Sequence, residues 1–211
     1  MLKKKEMAEA LNILENTYRG AECGLNFENP YELLISTILS AQCTDERVNI
    51  VTKELYKEYN SAEAMATLTA EEVGEKIRSC GFYKTKGKNI LATSKILLEK
   101  YNGVVPRTME ELIELPGVGR KTANVVLSNV FGVPAIAVDT HVFRVSQRIG
   151  LAKGDNVTKV EEQLMKNIPK SKWSDMHHYI IWHGRKLCKA RKPQCEQCNM
   201  PPFCEYFRKN I

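Results

Sequence analysis

The sequence predicts an all-α protein, and three observations carry that expectation. Apolar residues recur at intervals of three and four along nearly the whole chain. Helix-starting residues stand at the head of several of these runs. No segment alternates with period two for long. Val133 to Val138 comes nearest, and Pro134 inside it argues against a strand. About ten helices are expected on this pattern.

Taken in order, Met7, Leu11, Leu14 and Tyr18 mark one face of an opening helix. Asn29-Pro30 reads as a cap followed by proline at the first helical position, where a missing N–H costs nothing. The run Tyr31 to Leu39 is apolar on most sides, so its helix should be buried. Asp45 is placed to cap the next helix, with Val48, Val51 and Leu55 as the inner stripe. Thr69-Ala70-Glu71-Glu72 has the order of a capping box ahead of Val73 and Ile77, and Gly81 closes that helix. Ile90, Leu91, Ser94 and Leu97 carry the pattern on until Gly103. Two more capping boxes are expected, at Thr108 to Glu111 and at Thr158 to Glu161.

Composition narrows the class further. A length of 211 residues suits one large domain or two small ones, and 43% apolar residues can build a core. Charged residues at 27% exclude a disordered tail or a membrane protein. No apolar run approaches the roughly 20 residues that span a bilayer. Met1 to Glu6 has charge with no apolar stretch behind it, which is not a signal peptide. A cytoplasmic protein is expected, and structural disulfides are not. The net charge of +6 is a mild bias toward polyanions.

Two local features hold the chemistry. The first is Leu112 to Ala123, which reads as helix, tight turn, helix. Pro116 cannot continue the preceding helix. Gly117 and Gly119 flank Val118 and allow backbone angles closed to other residues. The turn presents N–H groups at a helix start, where an anion is favoured, and Arg120 and Lys121 add charge. It is not a Walker A loop, because Arg120 rather than glycine precedes the lysine. It is not a dinucleotide fingerprint, because Thr122 stands at the third glycine position and a helix comes before it. An ordinary turn between helices is the plain alternative. The Leu-Pro-Gly-Val-Gly order matches a helix-hairpin-helix element, which implies phosphate-backbone binding without base readout.

The second feature is the tail. Four of the seven cysteines, Cys188, Cys195, Cys198 and Cys204, are separated by six, two and five intervening residues. Four thiolates in so short a span can surround a metal centre; zinc and iron–sulfur clusters both accept them, and zinc is the default for a small all-cysteine site. Lys189, Arg191 and Lys192 lie between the first two, in a loop suited to a second phosphate contact.

With these features together, the chain resembles the endonuclease III family of helix-hairpin-helix glycosylases over nearly its whole length. The resemblance lies in Leu33 to Asp45 (LLISTILSAQCTD), Leu115 to Val126 (LPGVGRKTANVV), Val138 to Val145 (VDTHVFRV) and the cysteine spacing. It implies a six-helix barrel over residues 24–134. Beside it would stand a helical domain of residues 1–23 and 135–211 that holds one [4Fe–4S] cluster on the four cysteines. Double-stranded DNA with damaged bases or abasic sites would lie in the cleft between the two, and the protein would act as a monomer close to the nucleoid.

The resemblance also implies roles for particular residues. Lys121 matches the family's nucleophile and Asp139 its catalytic aspartate. Taken alone, Lys121 is a surface lysine at a helix start and Asp139 a helix cap. Partial burial and the neighbouring Arg120 would bring the Lys121 amine toward its neutral, attacking form. Gln42 would fill the gap left by an extruded nucleotide, and Phe82 would wedge into the opposite strand, where the family often has leucine. Gly117, Val118, Gly119, Arg120, His141 and Arg144 would contact the DNA backbone, with Lys189, Arg191 and Lys192 from the cysteine loop. The run Lys84, Lys86, Lys88 is expected to line the DNA surface. Three alternatives remain at this stage. They are a monofunctional mismatch- or adenine-specific glycosylase, a non-catalytic helix-hairpin-helix module and an electron-transfer protein.

Overall fold

The computed structural model describes residues 1–210. Among them are twelve α-helices, three short 3₁₀ turns and no strand. The chain divides into two compact units, Cys23–Gly132 and Met1–Glu22 with Val133–Ile211.

The unit Cys23–Gly132 is built on α2 (Pro30–Leu39). Asn29 caps it by accepting the Glu32 N–H at 2.9 Å, and Pro30 opens it. Nine of its ten residues are buried, as its apolar run requires. Leu33, Leu34, Ile35 and Leu39 are fully enclosed, and each such side chain contributes about 1.5–3 kcal/mol. Around it lie α3 (Asp45–Leu55), α4 (Ala62–Ala66), α5 (Ala70–Lys76), α6 (Tyr83–Tyr101), α7 (Met109–Ile113) and α8 (Arg120–Val130). They supply Val48, Met65, Val73, Ile90, Leu97, Leu112 and Val126 to the same core. Its buried hydroxyls are paired: Tyr31 with Ser94 at 2.7 Å, and Tyr56 with both Ser36 at 2.7 Å and the Glu32 carbonyl at 2.8 Å.

Several helix starts differ from the sequence expectation. Thr44, not Asp45, caps α3, by accepting the Arg47 N–H at 3.3 Å. Asp45 then stands in the first turn, where its charge suits the helix dipole. The Thr69–Glu72 box is present in both directions. At α7 the Thr108 hydroxyl accepts the Glu111 N–H at 3.3 Å but donates to the Glu111 carboxylate at 2.6 Å, so that carboxylate is engaged by the hydroxyl.

The second unit holds α1 (Lys4–Tyr18), α9 (Thr140–Ile149), α10 (Val157–Asn167), α11 (Trp173–Lys186) and α12 (Glu205–Asn210). The stripe Met7, Leu11, Leu14 and Tyr18 is buried as its spacing requires. It shares a core with Val142, Val145, Ile149, Val160, Leu164, Met176 and Ile180. The start of α10 is Asn156, which accepts the Lys159 N–H at 2.9 Å, so Thr158 is already inside the helix. Residues 133–138 form neither helix nor strand, in keeping with Pro134.

Candidate active site and thiol cluster

The hairpin is α7, the turn from Glu114 to Gly119, and α8. Leu115 and Val118 are buried and anchor the turn, and the Val118 N–H closes it on the Leu115 carbonyl at 3.0 Å. Thr93 of α6 donates to the Pro116 carbonyl at 2.9 Å. The two glycines serve different ends. Gly117 has φ +80°, and a Cβ there would stand 3.0 Å from the Asn89 amide. Gly119 is extended, with φ −99° and ψ 177°, and a Cβ there would meet nothing within 4 Å. So only Gly117 needs backbone freedom; Gly119 leaves open space before the start of α8. No side chain caps that helix, so the positive end of its dipole is not offset by a capping side chain. Arg120 and Lys121 are exposed on this first turn. The partial burial expected for Lys121 is therefore not met.

Asp139 caps α9, and its Oδ1 accepts the Val142 N–H at 2.7 Å. The next turn holds His141 and Arg144. Burial draws the His141 imidazole below its ordinary pKa, against the opposing pull of the Asp139 carboxylate. Its Nδ1 lies 3.2 Å from the Arg144 guanidinium. Arg144 also donates to the carbonyls of Gly184 at 3.1 Å and Cys188 at 3.1 and 3.2 Å, closing the end of α11. Its donors thus serve acceptors within its own unit.

Gln42 and Phe82 both stand exposed in left-handed backbone, with φ 54° and 49°. Such a conformation costs a non-glycine residue on the order of 1–3 kcal/mol. Phe82 is 66% exposed, which removes core packing as its explanation. Lys84 and Lys88 are exposed, but Lys86 is not. It is only 5% exposed, and its ammonium donates to the carbonyls of Leu39 at 2.8 Å and Cys80 at 2.9 Å. The expected surface run is thus broken in the middle. The signal was present in the spacing: Lys86 falls on the same helical stripe as Ile90, Thr93 and Leu97, all buried.

The four tail cysteines are half-buried and free of disulfides. They line one small cavity together with Ile149, His183, Leu187, Met200 and Tyr206. Among the described residues no set of three or more His, Cys, Asp or Glu is arranged to hold a single ion. Burial pushes the thiols of Cys195, Cys198 and Cys204 up, and the neighbouring sulfurs add to the rise. The Met200 N–H donates to Cys198 Sγ at 3.4 Å. What the geometry supplies is four sulfur donors lining one cavity. Lys189, Arg191 and Lys192 are exposed on the loop outside. That loop is fastened by Arg148, a residue the sequence reading passed over. Its guanidinium donates to the carbonyls of Lys189 at 2.7 Å and Ala190 at 3.0 Å and lies over the Tyr206 ring.

Comparison with known proteins gives a consistent result. Residues 35–170 match the model of the HhH-GPD superfamily base excision DNA repair proteins. Endonuclease III of Synechocystis is 49% identical over 96% of this chain and 93% of its own length. Endonuclease III of Escherichia coli is 48% identical over 99% of both chains. A solved structure of a trapped endonuclease III–DNA covalent intermediate, 48% identical, aligns with a TM-score of 0.95 over 99% of both chains. With the hairpin and the thiol cavity both in place, the chain is a DNA glycosylase and lyase of base excision repair, and it belongs to the HhH-GPD superfamily.

Proposed function

We propose that this enzyme removes oxidised pyrimidines such as thymine glycol from duplex DNA and then nicks the strand, with Lys121 as nucleophile. The observation that carries this reading is the start of α8, uncapped and fronted by open space at Gly119, with Lys121 as its second residue. Phosphate oxygens suit the positive end of that helix, and Arg120 adds charge beside it. The Lys121 amine gives up a proton and attacks C1′ of the sugar, and the bond to the base breaks. The base leaves with the bonding electrons and takes up a proton. Ring opening gives a Schiff base, loss of a C2′ proton follows, and the C3′–O bond breaks with phosphate as leaving group. Asp139 supplies negative charge that stabilises the cationic sugar. Gln42 and Phe82 enter the duplex as the damaged nucleotide leaves the stack, a step that costs a few kcal/mol. His141, Lys84 and the loop residues Lys189, Arg191 and Lys192 complete the backbone contacts, while Arg144, expected among them, holds α9 to the end of α11 instead.

Cys188, Cys195, Cys198 and Cys204 would hold one [4Fe–4S] cluster, binding its iron as thiolates and giving up their protons on ligation. Its part is structural: Cys188 and Cys195 bracket the basic loop, and Arg148 holds that loop from the α9 side. The test is an incision assay on duplex DNA with a single thymine glycol. The wild type should release the base and cut 3′ to the lesion, and Lys121→Gln should do neither. A Lys121→Gln enzyme that still cuts would remove the assignment.

A further inference from the structure

We propose that Lys86 is a positioning residue, a buried strut that joins the Gln42 loop to the Phe82 loop so that both side chains enter DNA as one rigid probe. The proposal rests on the reading above, in which these two residues probe the duplex.

The geometry is specific. Leu39 is the last residue of α2, and Cys80 is the last of the 3₁₀ turn Arg78–Cys80. Helix ends leave carbonyls without partners inside the helix. One ammonium, with three donors to give, takes one carbonyl from each end, at 2.8 and 2.9 Å. A cation at a C-terminus is also favoured by the dipole. Each chain then runs only two or three residues before its left-handed position, Gln42 in one loop and Phe82 in the other. Lys86 fixes the second loop from its far side as well, because its own N–H bonds the Phe82 carbonyl at 3.0 Å. Cys43 and Cys80 lie side by side in the same place, and burial pushes the Cys80 thiol up to about 11. Burial also lowers the Lys86 pKa. Removing an ammonium from water is costly unless its donors are used. A surface-binding lysine would not accept that cost. A lysine that holds two strained loops in register gains two charge-assisted bonds for it.

The experiment uses the full chain and two probes: a duplex with a central thymine glycol, and a single-stranded oligonucleotide with an abasic site, which needs no extrusion. Lys86→Met should slow base release on the duplex at least about tenfold more than it slows cutting of the single strand, since only the duplex requires extrusion. In a Gln42→Ala/Phe82→Ala background, Lys86→Met should add little further loss on the duplex. Equal slowing on both probes, or full additivity with the double variant, would show a merely structural lysine and overturn the proposal. If Gln42→Ala and Phe82→Ala alone leave duplex activity intact, the loops do not probe DNA, and the underlying reading fails first. Should Lys86→Met not fold, hydrogen exchange on the wild type decides. Amides at 41–43 and 81–83 should open together with one opening free energy, and two unrelated values would sink the strut.

Discussion

The Asp139 carboxylate accepts the Val142 N–H at 2.7 Å, so the residue assigned to the chemistry is also the cap of α9. The two roles can be separated by substitution. Asparagine caps as well as aspartate but has no charge. Asp139→Asn should keep thermal stability and lose about a hundredfold or more in turnover, as expected when a preorganised charge is removed. Asp139→Ala should lose turnover and also about 1 kcal/mol of stability with the cap. Thermal melts and single-turnover rates check both. Equal activity of Asp139→Asn and wild type would leave the residue as a cap alone.

The two hairpin glycines should respond differently. Gly117→Ala places a Cβ in left-handed backbone and against Asn89, at a cost of about 1–2 kcal/mol. Gly119→Ala meets no protein atom and no unfavourable φ, so the melt should barely move. Its methyl would instead occupy the space before the start of α8. Duplex affinity, measured by titration, should fall for Gly119→Ala while stability holds. A change in stability with unchanged affinity would contradict this.

Arg148→Met keeps the aliphatic stem but removes the two bonds to the cysteine loop. The purified variant should lose iron to a chelator faster than wild type, and its duplex affinity should fall with the freed loop. Iron content and visible absorbance report the first effect. Stoichiometric zinc in the wild type would refute the cluster while leaving the glycosylase reading in place.

Stability should fall on mild acidification. Burial lowers His178 from 6.5 to about 4. The unfolded chain therefore takes up the proton first as pH falls. Stability is intact above about 6.5 and is lost progressively toward 4, by on the order of 2 kcal/mol at this residue. Denaturant melts of His178→Gln should show a smaller loss over that range. An identical loss would remove His178 as a source.

Much of this was legible in the chain because it is local. The buried stripes of α1 and α2 and the turn at Pro116 depend on residues a few positions apart. Helix starts were less legible, because several capping residues often stand close together. Thr44 beside Asp45, and Asn156 beside Thr158, are decided by which residue has extended backbone. The strut at Lys86 was hidden by its own charge, which suggested the surface although its spacing placed it on the inner stripe. Its partners Leu39 and Cys80 contribute backbone carbonyls, which leave no mark in a sequence. Arg144 and Arg148 were obscured in the same way, since their acceptors are carbonyls some forty residues away.

The central claim is a covalent bond between the Lys121 amine and the deoxyribose. Borohydride reduces a Schiff base to a stable amine, so it can be captured on duplex DNA. Wild type should become linked to the lesion strand, with the adduct mapped to Lys121 by peptide mass, and Lys121→Ala should give none. Equal trapping by Lys121→Ala, or an adduct on another residue, would contradict the account.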